Sequence, residues 1–561
     1  MFKKISKATI IIWIVGWLIA YLVLLPPINP GSLAFWIFFT PALIIPLLII
    51  IQSKALKDGV NKGKALWPIF IFLVAVAIFF GGMFIVSPTF NAKGFANRII
   101  ITESSFEEDI KPVDFNNLPL LDKASSQKVG DRVVGQIPEL VSQFTVSDEY
   151  SLINYKNQIV RVTPLEHMDF YKYIGNHNGT AGYVVVDCTT GEAQLVRTTE
   201  GLKYLDSSYL FHNLKWHVQI CNPFSILGET SFELDDEGNP YWVIQTLRYS
   251  WVNIKPQVSG IIVCDAITGK MQRYKVGEVP SWIDNVYDAK LVTEEINSWG
   301  MYKNGYINSQ YQQKDVVQAT DGYTYITRDD DVYMYTGITS IATDESNIGF
   351  VMVNLRTHEA RYYPVPGAEE YSAMDSAKGV VQEKNYTSTF PLLINLNNRP
   401  TYLLSLKDSA GLVKMYAFVD VENYQKVTVT DAAYGIKVAA EQYLKMMDSS
   451  TDPSKPDETI PKEFKTDIIT IKKINQIMVE GNTIYYITSD TGLRFELPVT
   501  VDLSIVPFIT EGDTIKVEYY NTNNLNKVVS VEIVSPEVPQ TPTDSVPTAE
   551  TESGSSQEIQ S

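Results

Sequence analysis

The stretch Gly182-Tyr-Val-Val-Val-Asp187-Cys-Thr-Thr190-Gly191-Glu192 returns as Gly260-Ile-Ile-Val-Cys-Asp265-Ala-Ile-Thr268-Gly269-Lys270, and again as Gly349-Phe-Val-Met-Val-Asn354-Leu-Arg-Thr357-His358-Glu359. A fourth and weaker copy, Met415-Tyr-Ala-Phe-Val-Asp420, lacks the Thr-Gly. Each copy reads as a buried strand, an Asp or Asn, a tight turn and a second strand. The carboxylate or amide opens the turn by accepting from nearby backbone N–H groups, and glycine supplies the positive φ that closes it. Strand-like partners stand upstream, for example Pro240-Tyr-Trp-Val-Ile-Gln245 and Pro400-Thr-Tyr-Leu-Leu-Ser-Leu406. Between copies, 200–218, 287–300, 368–383 and 431–447 read as helical. The unit is therefore a few antiparallel strands plus a helix, recurring about every 65–90 residues, and the fold class is α+β.

Working outward toward the C-terminus, the Pro-, Ser- and charge-rich segment 449–463 reads as a linker. Beyond it, 464–535 alternates as five strands, with turns at 480–482, 489–492, 511–513 and 521–526, which predicts a small barrel of the OB type. Residues 536–561 hold neither aromatic nor basic side chains, the composition of a disordered tail.

Toward the N-terminus, 91–150 reads as an extended stalk followed by an amphipathic helix within 119–144. Ahead of it, the runs 8–25, 32–51 and 66–87 carry no charge, and each is about 18–22 residues long, the span of a bilayer crossing. The first run ends in Leu-Leu-Pro-Pro without a small-x-small cleavage site, so it predicts a retained helix. Three transmembrane helices are expected within an anchor at 1–90. Lys3, Lys4, Lys7, Lys54, Lys57, Lys62 and Lys64 flank only the odd sides of these runs. That asymmetry puts the N-terminus in the cytoplasm and everything after Ser87 outside the cell membrane. The repeats then divide as one pair at 151–310 and a second pair at 311–448.

The chain of 561 residues has a net charge of −18. Residues 1–90 hold seven lysines against Asp58, so the remainder carries −24. So acidic an outer part is a poor nucleic-acid binder, because phosphate contacts need Lys and Arg. The barrel repeats the point, with seven basic and ten acidic residues over 462–534. Cys188, Cys221 and Cys264 are too few and too odd in number for a disulfide framework, and none stands in a zinc-like spacing. No catalytic residue, cofactor site or metal site is expected. Ser125-Ser-Gln-Lys128 matches Ser-x-x-Lys without the accompanying Lys-Thr-Gly and reads as an exposed helix turn. His167, His177, His212, His217 and His358 read as surface or packing residues. The acidic runs 235–237 and 329–331 read as solvated turns without the alternate-ligand spacing of calcium loops. Tyr323, Tyr325, Tyr333 and Tyr335 could line a groove, but alternating aromatics are also what one sheet face buries.

At the Thr-Gly hairpins the units resemble PepSY-like domains, whose strands often end in an Asp-x-x-Thr-Gly-Glu/Lys turn. Asn354 and His358 in the third copy, and the bare Asp420 in the fourth, depart from that pattern. More broadly, residues 91–535 resemble a family of membrane proteins of Gram-positive bacteria, some of them labelled colicin V production proteins. Gly130-Asp-Arg-Val133, Val146-Ser-Asp-Glu-Tyr150, Thr336-Gly-Ile-Thr-Ser340 and Gly411-Leu-Val-Lys-Met-Tyr416 carry this resemblance. The PepSY likeness implies a domain that inhibits or modulates extracytoplasmic enzymes. The expectation is a membrane-anchored extracytoplasmic binding or scaffold protein whose partners are membrane lipid and another envelope protein. A cell-envelope hydrolase, or an accessory subunit of a transport or secretion complex, are the other two readings.

Overall fold

A computed structural model describes residues 7–42, 67–447 and 465–534, apart from 116, 329, 342, 480, 481, 503, 504, 523 and 524. The expected linker and tail therefore lie outside the described residues, as do 43–51 of the second apolar run. Helix α1 (Lys7–Leu24) stops before Pro26 and Pro27, with Leu25 at a φ of 44°. Helices α2 (Leu33–Ala42), α3 (Trp67–Val86) and α4 (Pro88–Ala96) follow. The expectation of three transmembrane helices is corrected here: among the described residues, no single helix is long and apolar enough to cross a membrane. Within the described residues the apolar helical stretches Ile11–Leu24 and Leu33–Ala42 fall short of a span, and Leu73–Val86 is bent by 49° from the helix Pro88–Ala96 that follows it. What the N-terminal segment does show is docking onto the repeats. The Trp216 indole donates to the Leu22 carbonyl, the Asn253 amide to Gly31, and the Trp251 indole to Phe79.

Four antiparallel sheets follow. Strands β2 (Phe144–Val146) and β3 (Ser151–Tyr155) both pair with β4 (Gln158–His167), which leads to β5 (Thr180–Asp187) and β6 (Ala193–Leu202) in sheet 1. Sheet 2 is a plain meander of β7 (Ile226–Leu234), β8 (Pro240–Trp251), β9 (Ile254–Asp265) and β10 (Met271–Lys275). Sheet 3 sets β11 (Val317–Ala319) and β12 (Thr324–Arg328) on β13 (Asp331–Ser340), then β14 (Thr343–Asn354) and β15 (Ala360–Tyr363). Sheet 4 sets β17 (Thr387–Ser388) and β18 (Leu392–Leu396) on β19 (Arg399–Lys407), then β20 (Val413–Asp420) and β21 (Val427–Asp431). Short β16 (Gly367–Ala368) pairs with β14.

Every copy of the repeat falls on the same hairpin, the last long one of its sheet. Asp187 accepts from the amides of Thr189 and Thr190 at 2.7 and 2.9 Å, Asp265 from Ile267 and Thr268 at 2.8 and 2.9 Å, and Asn354 from Arg356 and Thr357 at 2.9 and 2.8 Å. Asp420 still accepts from Asn423 at 2.7 Å, so the acceptor outlives the Thr-Gly. The glycine that opens the first three copies has its own cause. A Cβ on Gly182, Gly260 or Gly349 would fall 2.0, 2.3 or 2.4 Å from a carbonyl oxygen of the neighbouring strand.

Helices α5 (Lys123–Gly135), α6 (Leu214–Cys221), α7 (Ala289–Tyr302), α8 (Glu370–Val380) and α9 (Ile436–Met447) sit among the sheets. Asp122, Asn213 and Asp288 cap three of them by accepting from the third following amide. The expected helix at 200–218 is corrected: β6 occupies its start and helix begins only at Leu214, because Asn213 is the cap. One core joins Leu152 and Ile159 of sheet 1 to Val263 of sheet 2, Val351 of sheet 3 and Ile296 of α7. Others join sheets 1 and 2 through Val162, Phe232 and Trp242, and sheets 3 and 4 through Phe350, Tyr402 and Ala373. With cores continuous across 310, 7–447 packs as one unit rather than as separate pairs. The stalk is corrected as well. Strand β1 (Ile101–Glu103) adds in parallel to β15, and Val113, Phe115, Leu118 and Leu120 are buried against sheet 4 and α9. Four apolar side chains in 113–120 bury roughly 1.5–3 kcal/mol each, more than a solvated stalk would forgo.

The second compact unit, within 461–561, is a closed barrel of β22 (Lys465–Val479), β23 (Asn482–Ser489), β24 (Arg494–Pro498), β25 (Thr514–Thr522) and β26 (Leu525–Ile533). Its strands run in the order β22-β23-β24-β26-β25, with β25 returning to β22. Tyr519 and Tyr520 are buried in it, and Tyr519 donates to Asp467 at 2.6 Å, so neither is a stacking platform on the surface.

Candidate functional site

The innermost strands β3, β7, β12 and β18 face one another across a cavity of about 680 Å³, to which all four sheets contribute. That volume is inside the ~300–1,000 Å³ range of small-molecule pockets. Ser151, Thr230, Thr324 and Leu392 come from the innermost strands; Arg161, Gln245 and Ser405 come from the second strands of sheets 1, 2 and 4. The N-termini of α5 and α7 close another side through Asp122 and Lys123, and through Asp288 and Lys290. Tyr323, Tyr325, Tyr287 and Phe390 supply aromatic walls, and Leu120, Leu355 and Leu403 supply aliphatic ones.

Most polar groups here are already committed. Asp288 accepts from the Leu291 amide at 2.9 Å. Asp122 accepts from the Ser125 amide at 2.9 Å and from Lys407 Nζ at 2.5 Å. Burial pushes the Asp122 carboxyl up, but the lysine and the cap outweigh it and hold it below the usual carboxylate range. Burial also pushes the Tyr287 hydroxyl up to about 12, and its ring stacks on His358 at 4.1 Å. Among the described residues of the lining, three side chains keep a buried polar atom without a partner: the Tyr150 hydroxyl, Arg161 and Gln245. Arg161 is 6% exposed and, among the described residues, its guanidinium bonds through Nη1 to the Tyr150 carbonyl at 3.4 Å, leaving Nε without a partner. Gln245 donates to the Val286 carbonyl at 2.9 Å while its Oε1 has no partner.

Behind this wall lie two buried carboxyls, Glu233 and Asp284, both raised by burial. Glu233 accepts from Ser231 Oγ at 2.6 Å, from the Asp284 amide at 2.8 Å and from Asn285 at 3.2 and 3.1 Å. Asp284 accepts from the Asn154 amide at 2.7 Å. Their exposures are 0% and 1%, and neither lines the cavity, so they tie β7 and β3 to the 283–286 segment rather than face a substrate.

The residues singled out by sequence scatter. Ser125 and Lys128 sit in the first turns of α5, with Ser125 buried in the capped turn. His212 contacts Tyr173, His217 meets the Gly269 carbonyl at 2.9 Å, and His167 is buried among Phe144 and Tyr173. His358 Nε2 meets Glu295 Oε2 at 2.7 Å, on α7. Asp235 closes its own turn onto Asn239, and Asp331 is tied to Arg356 and Asn354. Among the described residues, no group of three or more His, Cys, Asp or Glu side chains is placed to hold a metal ion. Of the four tyrosines, Tyr323 and Tyr325 do line the cavity, whereas Tyr335 is a core residue that donates to the Pro391 carbonyl. Sequence reading missed Arg161 and Gln245. The available signal was a charge in mid-strand, in Ile159-Val-Arg161-Val-Thr163.

No family model matches the chain, and no curated protein matches it. Solved structures similar to it include a Bombyx mori beta-fructofuranosidase mutant in complex with sucrose, at 8% identity over 65% of this chain and 62% of that one, with a TM-score of 0.19. A Synechocystis apocarotenoid oxygenase mutant matches at 8% identity over 50% of this chain and 60% of that one, with a TM-score of 0.16. The alpha-L-arabinofuranosidase from Lactobacillus brevis matches at 9% identity over 69% of this chain and 96% of that one, also at 0.16. The chain thus spans about three fifths of the first two. Glycosidases and an oxygenase stand among these neighbours, at similarity too low to carry an argument for or against catalysis.

Proposed function

We propose that the chain is a binding protein of the cell envelope, that the cavity between the four sheets is its ligand site, and that it works without catalysing a reaction. The observation that carries this reading is the convergence of all four repeats on one cavity whose wall holds unpartnered polar groups. Buried polar atoms cost free energy unless something pairs with them, and a ligand supplies the pairing. Glu233 and Asp284, two buried carboxyls raised by burial, are shut away from this cavity and spent on backbone amides.

An extracytoplasmic place beside the membrane is part of the same proposal. It is supported by the exposed apolar side chains of the N-terminal segment, Ile12, Val23, Leu24, Phe80 and Ile85 among them. Exposed Phe211 packs on Trp216 where the indole donates to the end of α1, and an amphipathic indole suits a lipid–water boundary. The binding reading is tested by equilibrating the full chain with a small-molecule extract and identifying retained compounds by mass spectrometry. Wild type should retain a compound that Thr324→Trp, which fills the cavity from β12, does not. Equal retention by both, or none by either, rejects it. Protease added to intact protoplasts tests the location: the repeats should be digested, and their survival while known surface proteins are shaved reverses it.

A further inference from the structure

We propose that the cavity selects a ligand with a carboxylate on an apolar body, and that Arg161 is the residue that binds the carboxylate. This rests on the reading of the cavity as a ligand site and names the chemical class it takes. The first observation is a charge without a counter-charge. A guanidinium cannot escape burial by losing its proton, so a buried arginine stays charged and needs an anion. The other deeply buried arginine, Arg98, has one in Glu295 at 3.6 Å. Among the described residues, Arg161 has no carboxylate within ion-pairing distance; its partner is a neutral carbonyl at the long distance of 3.4 Å. The nearby Cys188 thiol does not serve as the anion, since burial pushes it up to about 11 and keeps it neutral.

The second observation is which edge of Arg161 is spent. Its bond to Tyr150 uses Nη1, which leaves the Nε–Nη2 edge. That edge presents two parallel N–H groups, the fork that meets both oxygens of one carboxylate. Arg161 reaches the cavity because β4 alternates: Val160 and Val162 face the core shared with sheet 2, and Ile159 and Arg161 face the other way.

The third observation is the distribution of the remaining charge. Lys123, Lys290, Glu149 and Glu229 are exposed at the mouth, where their signs cancel, while Asp122 and Asp288 are engaged as caps. Deeper in, Leu120, Leu355, Leu392 and Leu403 are at most 6% exposed. Such walls suit an aliphatic or aromatic body and offer no second cation, which favours a monocarboxylate over a polyanion.

Isothermal titration of the full chain with 4-phenylbutyrate and with its uncharged amide tests the inference. The acid should bind roughly tenfold or more tighter than the amide, in keeping with a charge-assisted bidentate pair. Arg161→Gln should bring the two within about threefold of each other, and Thr324→Trp should abolish binding of both. The acid–amide comparison on wild type needs no variant, so a misfolded Arg161→Gln leaves the test intact. Equal affinities in wild type overturn the anionic selectivity while leaving a cavity that binds. Acid binding that survives Thr324→Trp places the site elsewhere and overturns the assignment to Arg161. Binding of neither compound, together with no retained compound from an extract, removes the ligand-site reading along with it.

Discussion

Sheets 1 and 3 build the same turn from different residues. In sheet 1 it closes on Gly191 at a φ of 78°, and in sheet 3 on His358 at 67°. The amide of the closing residue meets the carbonyl of Asp187 at 3.0 Å in one and of Asn354 at 2.9 Å in the other. A left-handed backbone costs a residue with a Cβ about 1 kcal/mol. Sheet 3 offsets that cost through the side chain, since His358 bonds Glu295 on α7 and stacks on Tyr287. The comparison teaches that the Asp or Asn acceptor makes this turn. The closing position is then free to be glycine, or to carry a side chain that ties the sheet to the next layer.

The largest expected effect breaks that tie. Glu295→Ala leaves Arg98 buried without its carboxylate and His358 strained without its partner, and should cost about 3–5 kcal/mol in denaturant unfolding. A loss under ~1 kcal/mol would mean that His358 is an incidental tenant of the turn. Next, the opening glycines should behave alike in both sheets. Gly182→Ala and Gly349→Ala each force a Cβ against a backbone oxygen and should cost about 3 kcal/mol. Tolerance in one sheet alone would show that the two hairpins are not packed equivalently.

The histidines sharpen the contrast by pH. Burial pushes His167 of sheet 1 down to about 4, and neither of its ring nitrogens has a partner. The unfolded chain protonates this residue near pH 6.5. Between those values the unfolded state holds more protons, so stability falls as pH drops, by about 2 kcal/mol from pH 6.5 to 4.5. Glu233 and Asp284 act in the opposite sense, because carboxyls raised by burial favour the folded state as they protonate. Subtracting the pH profile of His167→Phe isolates the histidine; superimposable profiles would contradict its assignment as a buried neutral ring. The smallest effect concerns the acceptor. Asp187→Ala should cost about 1 kcal/mol, whereas Asp187→Asn should fall within ~0.5 kcal/mol of wild type, since Asn354 does the same work in sheet 3. A full loss in the Asn variant would mean that charge matters at this turn.

The repeat was legible because each of its positions answers a local demand: an acceptor two and three residues before the amides it serves, and a positive φ at the closing residue. The barrel was legible for the same reason, through alternation and turn residues. The cavity was not, because Arg161 and Gln245 stand 84 positions apart on strands that meet only after folding. The stalk was misread because 91–118 lacks a period of its own. Its Val113 and Phe115 acquire partners from sheet 4 and α9, far along the chain. The apolar runs were read as spans from composition alone, whereas the segment docks on the repeats at Trp216, Asn253 and Trp251, contacts that composition does not record.

By itself, then, the sequence determined the elements that short-range chemistry dictates: strands with period two, Asx turns and an acidic charge balance. Tertiary structure alone decided which sheets share a core, that an N-terminal strand would join sheet 3, and that His358 would meet Glu295. It also decided that Arg161 would lie buried beside a cavity with no carboxylate among the described residues to pair with. The reason is range: hydrogen bonds within a turn close over a few residues, whereas burial and the pairing of charges depend on which distant surfaces come together.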